Sequence, residues 1–137
     1  MTNEKYNLLA TEIVDAFYQV HKELGPGLLE SAYESALMIE FDLKQISVTT
    51  QVQIDLKYKG YHTGKYYIID LLVENEIVVE IKCCSAILPV HKAQLISYLK
   101  LGNKKLGFIV NFHVPTIKDG IKRFVNNFFI IFLFYEF

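Results

Sequence analysis

The stretch Ile68-Ile69-Asp70-Leu71-Leu72-Val73-Glu74-Asn75-Glu76-Ile77-Val78-Val79-Glu80-Ile81-Lys82 decides how this sequence folds. Two runs of aliphatic, largely β-branched residues flank a short polar break, which is the pattern of a hairpin. Three charged residues, Asp70, Glu80 and Lys82, stand inside runs otherwise built for burial. Alternate residues of a strand share a face, so Glu80 and Lys82 project the same way. Paired positions across a hairpin keep a constant sum. A three-residue loop centred on Asn75 therefore pairs Val73 with Ile77 and Asp70 with Glu80, whereas a two-residue loop sets Asp70 opposite Val79 and turns it away. Directly opposed carboxylates have Cβ atoms about 5 Å apart, which is unfavourable unless a proton or a cation intervenes. Asp and Glu oxygens suit Mg²⁺ or Mn²⁺, and the adjoining Lys82 supplies a positive donor for a nucleophilic water or a developing oxyanion. The competing reading is an Asp70–Lys82 cross-strand ion pair with Glu80 on a solvated face. The unbroken apolar flanks favour covered charges, which must be paired or coordinated.

Working upstream, Ile13, Phe17, Val20 and Leu24 recur at helical spacing, so residues 9–24 read as an amphipathic helix that Gly25-Pro26-Gly27 stops. A second helix over residues 28–44 buries Ala32, Ala36, Leu37 and Phe41 and carries Glu30 in its first turn. Val52, Ile54, Leu56 and Tyr58 then alternate with polar residues, as in a half-buried strand. The hairpin strands are expected over residues 66–73 and 77–82. Downstream, Pro89 opens a third helix through about residue 101, residues 106–112 form a strand, and a fourth helix is expected over residues 116–126. The order α, α, β, β, β, α, β, α predicts an α/β (α+β) fold with a central mixed four-stranded sheet flanked by helices. Residues 1–127 read as one domain. The apolar tail, residues 128–137, is too short to cross a bilayer as a helix. It reads as an extended segment covering an apolar face of this chain or of a homodimer partner, with no membrane role.

The 137 residues are 52% hydrophobic and 21% charged, which excludes a disordered chain, and the net charge of −1 excludes a polycationic binder. That balance hides an asymmetry: residues 1–80 hold 6 basic and 13 acidic side chains, and residues 81–123 hold 8 basic and 1 acidic. The basic half either meets a polyanion or neutralises the acidic half in space. Cys83 and Cys84 are adjacent, which suits neither an ordinary disulfide nor a zinc site. Reduced thiols and the lack of an apolar leader point to the cytoplasm. No Ser-His-Asp or Cys-His set, phosphate-binding loop or dinucleotide fingerprint is present, which argues against covalent hydrolysis, nucleotide hydrolysis and hydride transfer. His21, His62 and His113 lack metal-ligand spacing; His91, at the start of the third helix, is placed to reach phosphate or metal but reads rather as a surface or cap residue, and Tyr33 reads as a core aromatic with a satisfied hydroxyl.

Asp70, nine intervening residues and Glu80-Ile81-Lys82 resemble the signature of the PD-(D/E)XK nuclease superfamily. Gly27-Leu28-Leu29-Glu30-Ser31-Ala32-Tyr33 resembles the motif that names its GxxExxY branch. Gln94-Leu95-Ile96-Ser97-Tyr98 is similar to the Q-x-x-x-Y motif of an exonuclease branch linked to recombination helicases. The resemblance spans about residues 11–125 and implies a restriction-endonuclease-like core and a metal-dependent nuclease acting on nucleic acid, DNA being the expected substrate. It implies that Asp70, Glu80 and the backbone carbonyl of Ile81 hold Mg²⁺ or Mn²⁺, that Glu30 reaches the metal from the side, that Lys82 activates water, and that Gln94 and Tyr98 line the substrate cleft. The alternative function is a non-catalytic binding or interaction module on the same fold, in which Glu30 serves only its helix dipole and Gln94 and Tyr98 are ordinary helix surface.

Overall fold

A computed structural model of the chain describes residues 1–126, so the apolar tail and its expected dimer contact lie outside the described residues. Among the described residues, three α-helices, α1 (Asn3–Leu24), α2 (Glu30–Leu43) and α3 (Pro89–Leu101), enclose five strands: β1 (Val48–Tyr58), β2 (Tyr61–Val73), β3 (Ile77–Lys82), β4 (Leu106–Asn111) and β5 (Ile121–Val125). The strands lie side by side in chain order. β1, β2 and β3 are antiparallel neighbours, β3 and β4 run parallel, and β5 returns antiparallel to β4. The parallel pair needs a long crossover, and α3 supplies it.

The fold is thus mixed α+β as expected, with one correction. Residues 116–126 form a short 3-10 turn (Ile117–Gly120) and strand β5 rather than a fourth helix, so among the described residues the sheet has five strands, not four. The helix start that Pro115 suggests is overridden, because every residue of β4 is buried. A buried strand cannot leave one edge of N–H and C=O groups unpaired, and β5 completes that ladder.

The two faces of the sheet are covered differently. Ile13 and Phe17 of α1 and Leu37 and Phe41 of α2 pack on Leu71, Val73, Val79, Ile81 and Phe108. On the opposite face Leu95 and Leu99 of α3 pack on Ile69, Leu72, Val78 and Ile109. Gly107 lets α3 approach closely, since a Cβ there would meet Leu95 and Leu99 methyls at 3.1 Å and the Val78 carbonyl at 3.3 Å. Tyr33 takes the core position expected of it. Its ring stacks on Phe112 at 4.3 Å, and its hydroxyl donates to the Gly25 carbonyl at 2.5 Å and accepts from the Leu28 amide at 3.2 Å. The entry to α2, which carries Glu30, is tied down by this side chain and by His113, whose Nε2 bonds the Leu28 carbonyl at 2.9 Å.

Candidate active site

The hairpin register falls as the three-residue loop dictates: Val73 pairs with Ile77, Leu72 with Val78 and Leu71 with Val79. The backbone ladder stops there. Beyond it β2 continues along β1 while β3 continues along β4, so the sheet forks at Asp70 and Glu80. The side chains bridge the fork in place of the missing ladder bonds. The Asp70 amide donates to Glu80 Oε1 at 3.0 Å, and the Ile81 amide donates to Asp70 Oδ2 at 2.8 Å.

The pleat of β2 also breaks at this point. Leu71 packs on the α1–α2 side, yet Ile69 and Leu72, which strict alternation would place on opposite faces, both pack on the α3 side. Across from the break, Gln51 adopts a left-handed φ of 52°, and the β1–β2 register omits the Gln51–Asp70 pair while keeping Thr50 with Leu71 and Val52 with Ile69. Such irregularities re-aim a side chain out of the pleat. Here the re-aimed residue is Asp70.

Glu80 is only 7% exposed, and its carboxyl is pushed up to about 8. Burial is the largest cause and the negative charge of Asp70 the next, while the Asp70 amide and the Lys82 charge pull the other way. Lys82 follows two residues on, half-buried, and pairs in register with Asn111. The carboxylates also reach α3: burial first, then the charges of Glu80 and Asp70, raise the Tyr98 phenol above its ordinary value. Asp70, Glu80, Lys82 and Tyr98 are therefore brought together.

Gln94 lies one helical turn from Tyr98 and is exposed. The two line a groove of about 460 Å³ between α3 and the β1–β2 hairpin. Glu30 stands apart, exposed in the first turn of α2, whose helix covers the opposite face of the sheet. Its charge is felt at Cys83, the residue after Lys82, where burial and then Glu30 push the thiol up to about 11. Among the described residues no third His, Cys, Asp or Glu joins Asp70 and Glu80 in a group that could hold a metal ion. His91 serves as a helix cap, its Nδ1 accepting from the Leu88 amide at 3.1 Å.

Two neighbours of the site escape sequence reasoning. Asn111 is 1% exposed, donates to the Cys84 carbonyl at 2.8 Å, and accepts from the Cys84 and His113 amides at 3.2 and 3.1 Å. It pins the chain just after Lys82, and its one signal is a lone amide inside Leu106-Gly-Phe-Ile-Val-Asn-Phe112. Tyr67 packs on Tyr98 with ring centroids 5.6 Å apart, a contact no local pattern encodes.

A forked sheet carrying two adjacent carboxylates, that of Glu80 buried and that of Asp70 half-buried, and a lysine two residues on is the layout of a nuclease fold. The chain belongs to the PD-(D/E)XK nuclease superfamily, whose family model matches residues 7–124. A comparison with curated proteins finds no match. No helix among the described residues is long and apolar enough to cross a membrane.

Proposed function

We propose that the chain is a metal-dependent nuclease of the GxxExxY branch that hydrolyses phosphodiester bonds of DNA. The observation that carries this reading is the pair of carboxyl groups facing each other at the fork, one of them held near a pKa of 8. A buried pair of like charges is costly, and at neutral pH a retained proton relieves it. A divalent cation relieves it better, because each carboxylate already spends one oxygen on a backbone amide and offers its other to a ligand. The donor set therefore fits Mg²⁺ or Mn²⁺.

Asp70, Glu80 and the Ile81 carbonyl would hold the ion. When bound, the ion supplies Lewis-acid polarisation of the scissile phosphate and a lowered pKa for water. Hydrolysis adds a water oxygen to phosphorus and breaks the bond to the leaving sugar oxygen. Lys82 orients that water and offsets the charge that builds on the phosphate oxygens. Its place is fixed from the backbone, because the Phe112 amide donates to the Lys82 carbonyl at 3.0 Å and Asn111 holds the next turn of chain. Tyr98 and Gln94 border the path of the substrate strand. The free thiols of Cys83 and Cys84 suit a reducing, cytoplasmic setting.

The test is hydrolysis of labelled DNA and RNA by the wild-type chain and by Lys82→Ala, with Mg²⁺, with Mn²⁺ and with chelator. The reading predicts metal-dependent cleavage of DNA that falls by about 10²-fold or more in Lys82→Ala. Cleavage that persists in chelator, or no cleavage of any substrate by a folded, metal-binding chain, would contradict it.

A further inference from the structure

The β1–β2 hairpin outruns the rest of the sheet, and every residue from 57 to 68 is exposed. An arm with no core of its own gains nothing from aromatic burial, yet it carries Tyr58, Tyr61, Tyr66 and Tyr67, with Tyr58 66% and Tyr61 78% exposed. The favourable strand propensity of tyrosine explains some of this choice. It does not explain the charge. Residues 57–65 hold three of the six lysines of the acidic first eighty residues and none of their thirteen acids.

The order along the arm is informative. At the tip Tyr58 and Tyr61 pair directly across the left-handed Lys59-Gly60 turn, and the Lys59 ammonium lies 5.5 Å from the Tyr58 ring centroid. At the base Tyr67 packs on Tyr98, whose phenol senses the Asp70 and Glu80 charges. Exposed rings interleaved with lysines thus run from open solvent to the carboxylate pair. We propose that this arm is a stacking platform for an unpaired nucleic-acid strand, delivering it to the site at the fork. Rings stack on base faces that a duplex hides, while Lys59 and Lys65 meet the phosphates whatever the sequence. The delivery rests on the nuclease reading; the binding does not.

The experiment is fluorescence anisotropy of the full chain with a labelled single strand and with the same sequence as duplex, in chelator so that no cleavage intervenes. The single strand binds more tightly than the duplex. The double variant Tyr58→Ala, Tyr61→Ala binds the single strand about tenfold or more weakly. The ring-retaining Tyr58→Phe, Tyr61→Phe variant binds it like wild type, and Lys59→Glu with Lys65→Glu flattens the dependence on salt. Duplex bound as tightly as single strand, or an alanine variant that binds like wild type, overturns the proposal. So does a concentration-dependent dimer that the alanine variant loses while its nucleic-acid affinity stays unchanged, which would make the arm a self-association surface. Cleavage in Mg²⁺ is read separately. Arm-dependent binding without cleavage removes the nuclease reading alone, and cleavage with arm-independent binding removes the platform alone.

Discussion

At Glu80 the conflict between burial and charge is sharpest. Its folded pKa of about 8 stands above the ordinary 4.5, so between those values the folded chain keeps a proton that the unfolded chain releases. The stability from that proton is fully present below about 4.5 and is lost as pH rises through about 8. Metal-free protein is therefore expected to become less stable over that window, and Glu80→Gln to flatten the fall, as thermal melts across the pH series will read. Asn111 is the second residue with a measurable role. Asn111→Ala strands the Cys84 amide and carbonyl and the His113 amide, and should cost about 1–3 kcal/mol by denaturant unfolding. It should also lower the rate of hydrolysis more than the affinity for DNA, because it loosens the chain beside Lys82 without touching the substrate path.

Between elements, tight packing and short loops made most of the fold legible in sequence. The Glu74-Asn75-Glu76 break fixes the β2–β3 register, with Glu74 and Asn75 taking left-handed φ values of 52° and 57°, and so the opposition of Asp70 and Glu80 could be read before the structure. Pro89 and Gly102 likewise bound α3. The β5 strand was not legible, because its demand comes from the open edge of β4, a tertiary fact that overrides the local signal after Pro115. The fork was hidden for the same reason: a hairpin pattern shows which residues can pair, not where a third strand takes one partner away. Glu30 was legible as a residue of α2 but not in its distance from the carboxylate pair, which depends on how α2 packs. The Tyr33 hydroxyl sets that packing at the α2 entry. Tyr33→Phe keeps the stack on Phe112 but leaves the Gly25 carbonyl and Leu28 amide unpaired, and should cost about 1–3 kcal/mol in a chemical denaturation.

Across the whole molecule, part of the charge asymmetry is neutralised in space. Some basic residues of the second half neutralise the first: the Lys104 ammonium donates to the Asn75 carbonyl at 2.9 Å, between Glu74 and Glu76, and Lys105 lies 5.9 Å from the ring of Tyr6, whose hydroxyl donates to Glu76. Others stand near the site, Lys82 on β3 and Lys100 along the groove with Gln94 and Tyr98. Lys118, Lys122 and Arg123, expected on a fourth helix, lie instead on the 3-10 turn and β5. The carboxylate pair faces α3, where Tyr98 senses its charge, and its central property is that it takes a cation in place of a proton. The most direct measurement is a calorimetric Mn²⁺ titration at neutral pH, in buffers of different ionisation enthalpy, of the wild type and Asp70→Asn. The account predicts binding that releases protons from the wild type, with binding and DNA hydrolysis lost together in Asp70→Asn. Binding without proton release, or an Asp70→Asn chain that binds Mn²⁺ and cleaves DNA like the wild type, would contradict it.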